Sequence, residues 1–430
     1  LTERCFAATI RNAHLVFRQV ETMRIISIQT TALILFTGLF SAGCSQAVVN
    51  DFVAGETGPS LTAAEDSSSG AAGTLLALLT EDESTMTWEY SEFGKTADGK
   101  TIEQYTLKNS SGLTVKLINY GATVVSVETP DRNGKLANIA LGHKSLEKWL
   151  TNPCYFGSTV GRYGNRIGGG LFGLNDNIYT LAKNDGDNHL HGGELGFHKT
   201  LWAAEGSSNE TTASVVFNRT SPDGEDRYPG NLAVSVTYTL TADNELRIDY
   251  AATTDKPTVV NLTNHTYWNL TGDASEQDVL NHELKLNGNL YLPVDEKLIP
   301  TGDTVAVADT PMNFVSPHTI GERIADVDGG YDHCYVVNRQ VDGLIQAARM
   351  YEPRSGRVLE IFTTEPGIQF YSGNFLNGEA DSGGFKKHHG FCLETQHYPD
   401  SPNQPHFPTT RLNPEQAYKT TTVHKFSVLK

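Results

Sequence analysis

Residues 87–430 are predicted to form an all-β domain, a large antiparallel β-sandwich with few short helices, and three observations lead there. First, apolar residues alternate with polar ones at period two. Leu232, Val234, Val236, Tyr238 and Leu240 make one such row, and Leu246, Ile248 and Tyr250 make another. Second, turn signals punctuate the rows: Ala242-Asp243-Asn244 between those two, and Asp131-Arg132-Asn133-Gly134 between residues 122–129 and 136–141. Third, helical periodicity is scarce, with one short turn expected over residues 146–150. The region is long for a single sandwich, so two half-domains packed face to face stand as a second arrangement.

The N-terminal elements read differently. The chain starts at Leu1, and residues 1–22 are consistent with an over-extended reading frame. Residues 23–44 have the layout of a secretory signal: Met23-Arg24, an apolar stretch densest over residues 32–40, then Ser41-Ala42-Gly43-Cys44. The stretch is too short and too interrupted for a spanning helix, which needs about 20 apolar residues. Small residues before Cys44 resemble a bacterial lipoprotein cleavage site, although Ser41 stands where Leu is usual. Cys44 is therefore the expected lipidation site, with ordinary cleavage after Ala47 as the alternative. The expected location is outside the cytoplasm, periplasmic or lipid-anchored, with a cytoplasmic chain as the other reading. Residues 45–86, rich in Ala, Gly, Ser, Thr and acids, read as a flexible linker.

Composition narrows the partners. A formal net charge of -17 argues against a nucleic-acid or anionic-membrane surface, both of which need clustered Lys and Arg. Cys154, Cys334 and Cys392 follow the leader without CxxC spacing, so neither a disulfide framework nor a thiolate metal site is expected, and they read as small buried hydrophobes.

Several segments then concentrate polar and ionisable residues. Gly161-Arg162-Tyr163-Gly164-Asn165-Arg166-Ile167-Gly168 has glycine spacing, but strands rather than a helix follow, so a dinucleotide loop fails its context. The loop is either a glycine-rich turn with solvated arginines or a presenter of Asn165 and Arg166 to a polyol. In Asn188-His189-Leu190-His191-Gly192-Gly193, a strand would put both histidines on one face and raise the question of a metal pair. No zincin or cupin spacing supports that, and His191, beside paired glycines, is the stronger ligand-binding candidate. Asn261-Leu262-Thr263-Asn264-His265-Thr266-Tyr267-Trp268-Asn269-Leu270 mixes aromatic and hydrogen-bonding groups as a pyranose requires, with His265 suited to proton transfer near neutral pH; the other reading is an ordinary core strand with a satisfied His. Asp332 follows Gly329-Gly330-Tyr331 and reads either as a turn residue or as a carboxylate for sugar hydroxyls, and Gln369, alternating with Phe370 and Tyr371, is a candidate to face the same cavity. Finally, Phe391-Cys392-Leu393-Glu394-Thr395-Gln396 puts one carboxylate in a strand-like apolar run with no basic neighbour. Burying an unpaired charge is costly unless the charge is used or matched, and general-base chemistry, in which desolvation lifts the carboxylate's pKa, is one such use for Glu394.

These strings, in this order and spacing, resemble the aldose 1-epimerase (galactose mutarotase) family. So do Ser221-Pro222-Asp223-Gly224, Tyr228-Pro229-Gly230, Tyr291-Leu292-Pro293-Val294-Asp295 and Pro300-Thr301-Gly302. The resemblance runs from Tyr105 to Val428. It implies a supersandwich with a carbohydrate cleft on one sheet, and interconversion of the α and β anomers of free aldohexoses such as glucose and galactose. No cofactor and no metal are implied. Matched position by position, Glu394 falls on the general base, His265 on the general acid, and His191 on a histidine that binds substrate and supports the transition state. Asn165, Arg166, Tyr267, Asp332 and Gln369 fall on sugar-contacting positions. The expected partner is a small aldohexose, with membrane contact only through an N-terminal lipid, and a monomer or dimer as the working state. The rival classes are a non-catalytic sugar-binding lipoprotein and a glycoside hydrolase on a similar sandwich.

Overall fold

Two meanders built from consecutive hairpins open the large sheets, and strands from distant parts of the chain complete them. The computed structural model describes residues 86–430. The readings made for residues 1–22 and 23–44, for Cys44, and for all but the last residue of the linker lie outside the described residues.

Five strands, Thr87–Lys95, Thr101–Lys108, Thr114–Ile118, Thr123–Pro130 and Leu136–Asn138, pair in order as an antiparallel meander. The turn at residues 131–134 joins the last two: Asp131 Oδ1 accepts from the backbone N–H of Asn133 and of Lys135, an Asx-type closure. A nine-stranded sheet begins with a second meander, Ala203–Ser208, Thr212–Ser221, Leu232–Thr241 and Glu245–Thr254. The alternation of residues 232–240 appears there as alternating burial, and Asn244, at φ 61°, supplies the left-handed residue of the hairpin. The C-terminal strand Tyr418–Val428 then inserts between Glu245–Thr254 and Arg357–Thr363, tying the chain's end to its middle. A six-stranded sheet contains Tyr267–Trp268, Phe391–Gln396, Gly367–Tyr371 and Asp332–Val336 side by side. Among the described residues one α-helix occurs, Leu146–Thr151, capped where the Ser145 side chain accepts from the Lys148 N–H.

The three large sheets share one apolar core. Leu107, Val115 and Val124 enter it from the five-stranded sheet, Phe217, Val236 and Ile248 from the nine-stranded sheet, and Ile368, Phe370, Phe391 and Leu393 from the six-stranded sheet. Successive side chains on a strand point to opposite faces. The residues that alternate with those last four, Gln369, Cys392 and Glu394, must therefore leave the six-stranded sheet on its other side. That face is the floor of the candidate site.

Candidate active site

Strand register assembles the floor. Gln369 lies directly opposite Glu394, while Cys392 lies opposite both Tyr371 and Tyr267, and Tyr371 opposite Asp332. One face thus gathers two carboxyl groups, an amide, a thiol and two phenols from segments far apart in the chain. The face opens into a cavity of about 400 Å³, which Asn165, Arg166, His191, His265, Tyr267, Asp332 and Glu394 help to line. This volume lies within the range of small-molecule sites.

His265 stands between the short strands Thr263–Asn264 and Tyr267–Trp268. Its backbone is pinned on both sides: its N–H donates to Ser158 O at 2.9 Å, and its carbonyl accepts from the Gly157 N–H at 3.0 Å. Gly157 permits this approach because a Cβ there would sit 1.8 Å from Val124 O. The rings of Tyr155 and Tyr267 lie nearly parallel to the imidazole, with centroids 5.8 and 5.1 Å away. Nε2 of His265 is 3.7 Å from Glu394 Oε1, with both side chains almost wholly buried. The other carboxylate oxygen, Oε2, has no hydrogen-bond partner.

Asn165, Arg166 and His191 come from two loops clamped together. Arg166–Ile167 pairs with His189–Leu190, and beyond that short ladder Asn165 and His191 both turn left-handed, at φ 62° and 51°. The Asn165 N–H donates to His191 Nδ1 at 3.2 Å, and the His191 N–H donates to Asn165 O at 3.1 Å. The loop arginines are not solvated. Arg162 is buried, donating to the carbonyls of Pro229, Gly230 and Ser221 and to Ser221 Oγ. Its partners are the same Ser221 and Tyr228-Pro229-Gly230 strings that stood out in the sequence. Arg166 is also buried, and its Nε donates to Asp185 Oδ2 at 2.7 Å.

The idea that His189 and His191 share a face is corrected here. The strand ends at Leu190, and the left-handed turn swings His191 towards the cavity. His189 is structural, bridging Ala182 O and the Tyr228 hydroxyl. Gln369, opposite Glu394 on the floor, donates its Nε2 to Asp332 Oδ1 at 2.7 Å and holds that carboxylate in place, while its Oε1 has no hydrogen-bond partner among the described residues.

Burial dominates the electrostatics. It pushes Glu394 well above the usual carboxylate range, helped by nearby Asp332 and opposed by Arg166. It also raises Asp332, with Arg166 and the Gln369 amide opposing. His265 is pushed down to about 4 by desolvation, and His191 falls well below its ordinary value for the same reason, with neighbouring cationic groups adding to it. His191, His265 and Glu394 bring one ligand atom each to within 4.8 Å of one another. Ligands of a tetrahedral zinc, bound at about 2.1 Å, sit roughly 3.4 Å apart. Within the trio, His265 Nε2 and Glu394 Oε1 are 3.7 Å apart.

Sequence reasoning missed Tyr155, Asp185 and Tyr371 as cavity residues. Tyr155 carried a faint signal, an aromatic in the loop Asn152-Pro153-Cys154-Tyr155 before a glycine. Asp185 had none: its role exists only because Arg166 reaches it. The reading of Cys392 as a mere buried hydrophobe was incomplete, because its Sγ lies 3.5 Å from His265 Nδ1.

Comparison with known proteins gives a consistent result. The family profile described as Aldose 1-epimerase matches residues 103–425. Galactose mutarotase of Bos taurus is 45% identical over 332 residues, covering 76% of this chain and 95% of that protein. Aldose 1-epimerase of Escherichia coli K12 is 38% identical over 338 residues, 76% of this chain and 96% of the relative. Among solved structures, galactose 1-epimerase from Lactobacillus acidophilus superposes with a TM-score of 0.72 at 29% identity, covering 80% of this chain and all (100%) of the other.

Proposed function

This chain belongs to the aldose 1-epimerase family, and from that premise we propose that it interconverts the α and β anomers of free aldohexoses such as glucose and galactose. It is an isomerase, acting by opening and closing the pyranose ring. The observation that carries the mechanism is the 3.7 Å separation of His265 Nε2 and Glu394 Oε1 on one wall of the cavity. The ring oxygen and the C1 hydroxyl are bonded to the same carbon, so two groups this close can serve both oxygens at once.

Glu394 takes the proton of the C1 hydroxyl while His265 delivers one from Nε2 to the ring oxygen. The C1–O5 bond breaks and an aldehyde forms. After rotation about C1–C2, the aldehyde presents its other face and the same two groups run in reverse. Each transfer contributes about 10²–10⁴-fold. Their environment favours the step: burial destabilises a Glu394 carboxylate facing an imidazolium, and the first transfers convert that charged pair into a carboxylic acid and a neutral imidazole. The pair therefore carries a single proton and moves it by way of the sugar. His191, its Nδ1 occupied by the Asn165 N–H, keeps Nε2–H as a donor to the substrate. Asn165, Arg166 and Asp332 hold the other hydroxyls, and Tyr267 packs beside the ring. Gln369 acts through Asp332.

Polarimetry on freshly dissolved α-glucose and α-galactose tests this reading. Catalysed approach to anomeric equilibrium is expected, with most of it lost in His265→Asn. Saturable sugar binding without acceleration would mean a binding protein, and release of reducing ends from a disaccharide would mean a hydrolase. We further propose that the chain is exported, on the strength of its leader, and that it works as a monomer or dimer.

A further inference from the structure

The position of Cys392 bears on how His265 handles its protons. Cys392 faces the cavity side of the sheet, fully buried, between Tyr267 and Tyr371 in register and two residues before Glu394. Its Sγ is 3.5 Å from His265 Nδ1, while Nε2 of the same ring faces Glu394 at 3.7 Å. Among the described residues no other side chain hydrogen-bonds that Nδ1.

The two imidazoles of the site, with centroids 5.1 Å apart, are held in opposite ways. In His191 a backbone N–H donates to Nδ1, so the proton of the neutral ring sits on Nε2. That suits a permanent donor. His265 must instead lose and regain a proton at Nε2, so its remaining proton has to reside on Nδ1. Which nitrogen of a neutral imidazole keeps the proton is decided by the partner of the other.

We propose that Cys392 is a positioning residue: its sulfur accepts the Nδ1–H of His265 and so reserves Nε2 for the proton exchanged with the sugar. The inference rests on the acid role assigned to His265 above. Through the cycle Nδ1 keeps its proton. The Nε2 proton passes to the ring oxygen as that oxygen takes the C1–O5 electron pair, and it returns to Nε2 on closure. A sulfur acceptor is weak. It is sufficient to choose a tautomer, yet it does not hold positive charge on the ring as a carboxylate would, which leaves the imidazolium a ready acid. Burial keeps the thiol itself protonated, so no thiolate competes for the proton. The rival arrangement, with S–H donating to Nδ1, puts the ring proton on Nε2 and leaves His265 nothing with which to take the proton back.

The test uses the full chain with nitrogen-15 labelled histidine. Long-range nitrogen–proton correlation spectra report which nitrogen of His265 is protonated, and polarimetry reports kcat and KM. The wild type is expected to show Nδ1–H. Cys392→Ala should lose that preference, with kcat down roughly tenfold or more, KM unchanged, and the acid limb of the kcat profile displaced. Cys392→Ser, which restores an acceptor, should recover much of both. Cys392→Val fills the space without an acceptor and should behave like the alanine variant. An Nε2–H tautomer in the wild type, or a valine variant with wild-type kcat, overturns the proposal. If His265→Asn retains full turnover, the acid assignment fails and the role of Cys392 falls with it; a wrong tautomer alongside an inactive His265→Asn sinks only the role of Cys392.

Discussion

At the scale of single residues, the site is built from groups kept away from their preferred charge states. Glu394 is 3% exposed, lies near a second carboxyl, Asp332, and has one oxygen without a partner. Its folded pKa is raised above its ordinary value of 4.5, so its contribution to stability is fully present below that pH and is lost as pH rises through the folded pKa. At alkaline pH the buried charge is a burden on the fold, carried because the chemistry needs a base. Glu394→Gln should therefore lose about 10²–10⁴-fold in turnover and yet melt at a higher temperature than the wild type near pH ~8. The gap should close as pH falls below 4.5. Thermal melts of both proteins across that range check it; equal melting temperatures at the alkaline end would mean the carboxylate is better solvated than its burial indicates.

At the scale of elements, the junction between the loop at residues 161–168 and the turn at 190–193 sets where Asn165, Arg166 and His191 stand. The junction depends on one glycine. Gly192 has φ 85°, and a Cβ there would lie 1.8 Å from Gly161 O. Gly192→Ala must push the two segments apart, breaking the paired bonds between Asn165 and His191. The expected result is a loss of at least about 2 kcal/mol in stability, together with a fall in kcat/KM larger than partial unfolding explains. Denaturant titration alongside polarimetry separates the two. Preserved activity would show that His191 is placed by its packing against Tyr155 and not by the turn. Arg162 supports the same junction from behind: its buried guanidinium satisfies carbonyls of residues 221, 229 and 230, binding the loop to the nine-stranded sheet's neighbourhood.

At the scale of the whole molecule, the histidines decide the response to acid. Desolvation holds His189, His265, His333 and His424 down to about 4 and His198 to about 3. Their folded pKa values lie below the ordinary 6.5, so the unfolded chain binds more protons as pH drops. The stability they contribute is complete above that value and is lost as pH falls towards 4. Each such group costs up to about 1.4 kcal/mol per pH unit inside that window. The buried carboxyls Glu394, Asp332, Asp226 and Asp400, which burial raises, act in the opposite sense. The denaturation midpoint should thus be flat above pH ~7 and fall steeply from there to pH ~5. A midpoint constant across that window would contradict the burial of these rings.

The hairpins, the strand alternation and the segments that carry the chemistry were all legible in the sequence, because turns and period-two patterning are local and need no partner to be recognised. Glu394 stood out for the same reason: a lone acid in an apolar strand is anomalous within six residues. What depended on distant parts of the chain was not legible. Register across three strands brings Cys392 to His265 and sends Gln369 to Asp332, a left-handed turn separates His191 from His189, and Asp185 matters only because Arg166 reaches it. The sequence by itself determined the fold class and the reactive groups. Only the tertiary structure decided which nitrogen, oxygen or sulfur faces which, because those pairings join side chains from distant parts of the chain, as Cys392 and His265 lie 127 residues apart in sequence.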